Sequence, residues 1–180
     1  MEKRNELPSF EIIYSDHSKM VFNLCLNYLK NEAVAEDLTQ EVFVKIYHKM
    51  DTFHADAQLK TWIYRLTINT CLDFLRAQKS KKRFGFLFSL SRSQTEYDKA
   101  LTEFNHPGVL LEHKERTAQV FKLIDQLPDR QKTALLLHVT EGLNLEEIAE
   151  IMSATPKAIE SLLGRARVTL KKNRINEGNS

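Results

Sequence analysis

The chain has 180 residues, enough for one ordinary domain or two small ones. Its formal net charge of +2 at pH 7 excludes a uniformly basic particle, so the local distribution of charge decides what each surface attracts. Two cysteines in apolar contexts, without ligand spacing, are expected to be buried free thiols, and neither a metal site nor a cofactor is predicted.

Helical periodicity dominates the sequence, so an all-α fold is predicted. The predicted helices lie near 9–30, 33–50, 59–78, 109–127, 129–141, 145–152 and 156–173. Residues 79–108 begin basic, turn polar and end in Pro-Gly, which indicates a flexible linker between helical domains over 1–78 and 109–180. No apolar run is long enough for a membrane span and no signal-peptide core is found, so a cytoplasmic protein is expected.

The second predicted helix is acidic. Residues 31–41 contain four acids and no base. A helical wheel turns Asp37, Gln40, Glu41 and Val44 outward, opposite an apolar face. An acidic stripe repels DNA, so the stripe is either a solvated face or a surface for a basic protein partner.

The third predicted helix has the opposite charge. Residues 60–83 contain seven bases and one acid. Apolar side chains occupy one side of the wheel, and the other side carries Trp62, Arg65, Asn69, Asp73 and Arg76. Arginines hold phosphates, asparagine can bond a base edge, and an aromatic ring can stack on an unpaired base. These residues favour a nucleic-acid interface, although Trp62 alone could equally pack under the preceding loop.

The C-terminal segment from Gly142 to Lys172 has the pattern of a helix-turn-helix. Asn144 and Glu147 form a predicted capping box, Ser153 and Ala154 a short turn, and Thr155 a second cap before Pro156. The small Ala149 is placed where the two helices cross. The second helix should present a polar face with these residues: Lys157, Glu160, Ser161, Gly164, Arg165 and Val168. A helical hairpin with a solvated cationic face is the alternative, but it does not explain the caps and the turn together.

Three ordered segments resemble the bacterial extracytoplasmic-function (group 4) sigma factors: "AEDLTQEVFVKIYHKMDTF", "LKTWIYRLTINTCLDFLR" and "LPDRQKTALLLHVTEGLNLEEIAEIMSATPKAIESLLGRAR". The resemblance falls in both predicted domains and implies a subunit without catalytic residues that directs core RNA polymerase to promoter DNA. The first domain would bind the β′ clamp and the −10 element, and the second the β flap and the −35 element. An anti-sigma protein is a further candidate partner.

The resemblance also implies roles for individual residues. The clamp contact would fall on Asp37, Gln40, Glu41 and Val44. The −10 contacts would fall on the loop from Phe53 to Lys60 and on Trp62, Arg65, Asn69 and Arg76. The −35 contacts would fall on Lys157, Glu160, Ser161, Gly164 and Arg165. Glu160 stands where many members carry an arginine. An acid cannot hold phosphate, and it would accept instead from a cytosine amino group or from a protein donor.

Two other functions compete with this interpretation. A DNA-binding regulator that works without core polymerase would share the helix-turn-helix, but it would not need the acidic stripe. An enzyme acting on nucleic acid would need a carboxylate cluster, metal-ligand spacing or a Gly-rich phosphate loop, and none is found in the sequence. The linker run Phe84, Phe86, Leu87 and Phe88 has two interpretations: a flap packed on its own domain, or a segment that binds a partner.

Overall fold

A computed structural model describes residues 8–53, 58–88 and 119–177, and the regular structure in these ranges is helical. The chain separates into two compact units, Met1–His106 and Pro107–Ser180. The prediction of an all-α fold with two helical domains is therefore confirmed.

The N-terminal unit contains α1 (Phe10–Leu29), α2 (Glu32–Lys49), a short 3-10 turn (Met50–Thr52) and α3 (Leu59–Phe88). Only Lys30 and Asn31 separate α1 from α2. Lys30 takes a left-handed conformation with φ 60°, and its N–H donates to the Leu26 carbonyl, which ends α1. The Asn31 side chain then accepts from the Val34 N–H at 3.0 Å and caps α2.

Each of the three long helices packs against the other two. Their shared core contains buried aliphatic and aromatic side chains from every helix: Ile13, Val21, Leu24, Leu26, Leu38, Val42, Phe43, Ile46, Ile63, Tyr64 and Ile68. Cys25 and Cys71 are both buried thiols, as predicted, and their Sγ atoms lie 3.8 Å apart. This core leaves one face of α2 and one face of α3 directed away from it.

The predicted end of the third helix at residue 78 is wrong, because α3 continues to Phe88. The added sequence is rich in lysine and arginine, which are good helix formers, and its single glycine costs only about 1 kcal/mol. The first ten residues of the predicted linker are therefore helical. The side chains of the phenylalanine run and all of residues 89–118, including the start of the predicted fourth helix, lie outside the described residues.

The C-terminal unit contains a helical segment over 119–125, called α4, followed by α5 (Asp129–Val139), α6 (Leu145–Ile151) and α7 (Pro156–Glu177). Helices α5, α6 and α7 pack against one another. Their buried side chains include Leu136, Leu137, Ile148, Ile159, Leu163 and Ala166. The ends of α5 and α6 and the start of α7 agree with the predicted boundaries to within two residues.

Candidate functional sites

The acidic stripe on α2 is exposed as predicted. Asp37, Gln40, Glu41 and Val44 all face solvent, and Val44 is 55% exposed although it is apolar. The apolar residues on the opposite side of the helical wheel are all buried: Ala35, Leu38, Val42, Phe43 and Ile46. Glu41 Oε1 lies 2.6 Å from Lys45 Nζ, so the charge of this acid is partly balanced within the helix.

An aromatic cluster beside the stripe was not predicted. The rings of Phe10, Tyr14 and Phe43 contact one another, with 4.7 Å between the centroids of Tyr14 and Phe43. The Phe10 ring also contacts Tyr47, at a centroid distance of 5.4 Å. Tyr14 is 49% exposed and Tyr47 61%. Tyr47 follows Val44 by one helical turn, so the cluster extends the apolar part of the stripe. Tyr47 falls on the outer face of α2, but only the packing of α1 reveals the cluster.

The outer face of α3 presents Asn69 and Arg76 to solvent, whereas Arg65 and Trp62 are half-buried. Arg76 Nη1 lies 3.3 Å from Asp73 Oδ1 on the same helix. The Trp62 ring lies 5.2 Å from the Phe53 ring at an interplanar angle of 58°. Trp62 therefore contacts the preceding loop, and the residue as a whole remains partly accessible.

Lys60 places a cation near the start of α3. Its Nζ lies 5.9 Å from the Tyr64 ring centroid. Burial lowers the pKa of His17, Asp16 opposes this shift, and the Lys60 ammonium adds to it, so the positive charge of Lys60 acts on α1 as well. Of the loop from Phe53 to Lys60, to which −10 contacts were assigned, residues 54–57 lie outside the described residues.

The helix-turn-helix has the predicted caps. Glu147 N–H donates to Asn144 Oδ1 at 2.9 Å, and Asn144 N–H donates to Glu147 Oε2 at 2.8 Å, which completes the capping box. Thr155 Oγ1 accepts from the Ala158 N–H at 3.2 Å at the start of α7. After α6 ends at Ile151, Ser153 takes a left-handed conformation with φ 49°, which is usually taken by glycine, and α7 starts after this short turn.

The residues assigned to the outer face of α7 share one exposed surface: Lys157, Glu160, Ser161, Gly164, Arg165 and Val168. Arg165 Nε donates to the Ser161 carbonyl at 3.3 Å, so its guanidinium lies along the helix. A Cβ atom added to Gly164 would meet nothing within 4 Å. The surface combines cations, one acid and a gap without a side chain.

Neither a metal-binding group nor a membrane span is found in the part of the chain that the structure describes. Within 8–53, 58–88 and 119–177, no three His, Cys, Asp or Glu side chains form a group that could hold a metal ion. None of the described helices is both long and apolar enough to cross a membrane.

Two family models match the chain, one for each unit. The model for sigma-70 region 2 matches residues 13–81, and the model for sigma-70 region 4 matches residues 117–170. The first match covers most of the three packed helices of the N-terminal unit, and the second covers the helix-turn-helix as far as Leu170. Together they cover more than half of the chain.

Curated relatives match over nearly the whole chain. The RNA polymerase sigma-H factor of Pseudomonas aeruginosa is 29% identical over 170 residues, which cover 94% of this chain and 88% of the relative. The ECF RNA polymerase sigma-E factor of Escherichia coli K12 is 30% identical over 165 residues, which cover 92% of this chain and 86% of the relative.

Solved structures share the fold. CnrH in complex with the cytosolic domain of CnrY gives a TM-score of 0.63 at 19% identity, and the match covers 95% of this chain and 89% of that one. The sigma factor RpoE of Bartonella quintana, in complex with the anti-sigma factor NepR, gives a TM-score of 0.63 at 19% identity and coverages of 91% and 94%. The family models and the 30% identical relative show that the chain belongs to the ECF sigma factors, which direct RNA polymerase to promoters.

Proposed function

We propose that a domain over residues 1–78 binds core polymerase and the −10 element. A second domain, over residues 109–180, binds the −35 element. The segment 79–108 connects the two domains. One observation carries this proposal: the N-terminal unit exposes an acidic stripe on α2 and a polar, partly cationic face on α3. Opposite charges on two faces of one small unit suit two different partners, a basic protein surface and a nucleic acid.

The polymerase contact is assigned to the acidic stripe of Asp37, Gln40, Glu41 and Val44, which would dock on the β′ clamp. Acids at the edge of an interface speed and orient association with a basic surface, and an exposed apolar side chain at its centre supplies area to bury. Val44 lies on the same exposed surface as the two acids and fits the second role.

The −10 contact is assigned to Phe53, Lys60, Trp62, Arg65, Asn69 and Arg76. Asn69 is exposed and can offer both a donor and an acceptor to a base. The cations would hold the phosphate backbone and set the register. The accessible part of the Trp62 ring, supported by Phe53, offers a platform on which an unpaired base can stack.

The −35 contact is assigned to the outer face of α7: Lys157, Glu160, Ser161, Gly164 and Arg165. The early residues of a recognition helix reach base edges in the major groove, and all five lie in the first half of α7. Glu160 would accept from a cytosine amino group, so we expect the −35 preference to include a cytosine opposite this residue. The same domain would sit on the β flap of the polymerase.

An anti-sigma protein is proposed as a further partner. Two of the structures that share this fold were determined with a bound partner, and one of these partners is an anti-sigma factor. We also propose that the chain is not itself an enzyme and acts in the cytoplasm, where polymerase and DNA are found.

Transcription in vitro with purified core polymerase tests the proposed function. The chain should make core enzyme start at a defined set of sites, and mapping these starts should give a shared −10 and −35 sequence. A chain that binds these promoters without joining core enzyme would instead be a regulator that works alone, and co-purification with core polymerase separates the two results.

A further inference from the structure

One ammonium group connects α2 to α3. Lys45 Nζ lies 2.6 Å from Glu41 Oε1 and donates to Thr70 Oγ1 at 3.2 Å. The Lys45 side chain is 36% exposed, so it lies partly in the groove between the two helices, while Thr70 is only 3% exposed. A single cation thus binds an exposed carboxylate on one helix and a buried hydroxyl on the other.

The two partners of Lys45 belong to two different proposed sites. Glu41 is part of the acidic stripe assigned to polymerase, and Thr70 directly follows Asn69, which is assigned to the −10 bases. An exposed ion pair alone contributes little to stability. The pair between Lys45 and Glu41 matters here for orientation. The hydrogen bond to Thr70 holds the ammonium in place, and the ammonium in turn restricts the Glu41 carboxylate.

We propose that Lys45 is a positioning residue for both faces of this unit, an inference that rests on the proposed function. From α2 its ammonium holds the Glu41 carboxylate in the orientation presented to polymerase. Its bond to Thr70 fixes the rotation of α3 about its axis, and thereby the angle at which Asn69 meets DNA. Loss of the ammonium leaves both contact residues in place but less well oriented.

The test uses full-length variants and two measurements, affinity for core polymerase and the rate of promoter opening by the assembled holoenzyme at saturating concentration. Lys45→Met keeps the apolar stem and removes the cation. It should weaken core binding about threefold to fivefold in high salt, which screens the change in charge beside the acidic stripe, and slow opening about fivefold to tenfold. Lys45→Arg restores a cation that can reach both partners and should recover most of both losses.

Thr70→Val separates the two roles, because it removes the acceptor on α3 but leaves the pair with Glu41. It should slow opening and leave core affinity unchanged. Thr67→Val is the matched control: Thr67 is a buried threonine one turn earlier whose hydroxyl donates to the Ile63 carbonyl at 2.8 Å. Thr67→Val should leave core affinity and the opening rate unchanged, apart from any loss caused by lower stability. Thermal unfolding of each variant measures that stability.

The inference is wrong if Lys45→Met changes only one measurement, or if Thr67→Val slows opening as much as Thr70→Val. Asp37→Lys and Asn69→Ala serve as reference variants for the proposed sites themselves. If both references lower their own measurement while Lys45→Met changes nothing, the positioning role alone fails. If the references also have no effect, the proposed sites are wrong and the inference fails with them.

Discussion

Lys132 and Asp125 form an ion pair in which Nζ lies 2.7 Å from Oδ1, and the lysine side chain is only 7% exposed while the aspartate side chain is 43% exposed. The pair joins the end of α4 to α5, whose packing supports the helix-turn-helix. Lysine is almost never buried without a partner, because removing its charge from water is costly. The stability of the C-terminal unit therefore depends on which member of the pair is replaced.

Asp125→Ala should destabilise the C-terminal unit by about 2 kcal/mol, because it takes a carboxylate from a buried ammonium. Lys132→Met should cost less, since methionine fills similar space and carries no charge. Urea unfolding of the full-length chain measures both changes, and hydrogen exchange at α5 amides assigns the loss to this unit. A larger loss for Lys132→Met would show that the ammonium contributes beyond its pair with Asp125.

Asp37→Lys should weaken binding to core polymerase by about tenfold, because it replaces attraction to a basic surface with like-charge repulsion. Glu36→Lys is the matched control, with the same charge change at an exposed neighbour outside the stripe. Titration of core enzyme with each variant gives the two affinities. Equal losses would indicate a long-range effect of charge rather than a contact at the stripe. Glu41→Lys should also weaken binding, but it disturbs Lys45 as well.

Asn69→Ala should make promoter opening less favourable by about 1–3 kcal/mol of free energy. It should also reduce the discrimination between bases in the −10 element. Arg76→Ala should instead weaken binding evenly across sequences and reduce its dependence on salt, as expected for a phosphate contact. Transcription from a panel of −10 variants compares the two substitutions. Unchanged activity and unchanged ranking of the panel with Asn69→Ala would remove this residue from the proposed site.

Gly164→Ala should act in opposite directions on folding and on DNA binding. Alanine is favoured over glycine inside a helix by about 1 kcal/mol, and its added Cβ meets nothing in the chain, so the C-terminal unit should become more stable. If the −35 DNA approaches this gap closely, the same methyl group should weaken binding to promoters that depend on that element. Higher stability with unchanged −35 binding would show that the glycine does not serve close approach.

The parts of the sites that sequence could predict depend on local pattern. The outward residues of α2, the capping box at Asn144 and Glu147, and the exposed face of α7 all follow from helical spacing and cap chemistry within one element. In α2 and α7, the residues predicted to face outward are exposed, and the residues predicted to face inward lie against the core. The local signal is strong here because the helices are amphipathic and clearly separated by caps.

The features that sequence missed depend on contacts between distant elements. The aromatic cluster needs α1 and α2 to pack before Tyr14 can meet Phe43. The burial of Lys132 and the bond from Lys45 to Thr70 likewise need two helices in register, and nothing in a single wheel reveals them. The helical extension of α3 to Phe88 was missed because the basic start, the polar residues and the Pro-Gly end of 79–108 indicated a linker, whereas lysine and arginine are also good helix formers.

The contact between Trp62 and Phe53 gives the proposed −10 site a spectroscopic signal. The chain contains one tryptophan, and its ring lies on the phenylalanine of the loop before α3. Its fluorescence therefore reports on this site alone, without an added label. A base that stacks on the accessible part of the ring should quench the emission, and in Phe53→Leu the same ring should respond with a different amplitude. Binding of single-stranded −10 DNA to the protein without core enzyme could then be followed in real time, with Trp62 as the only tryptophan in the sample.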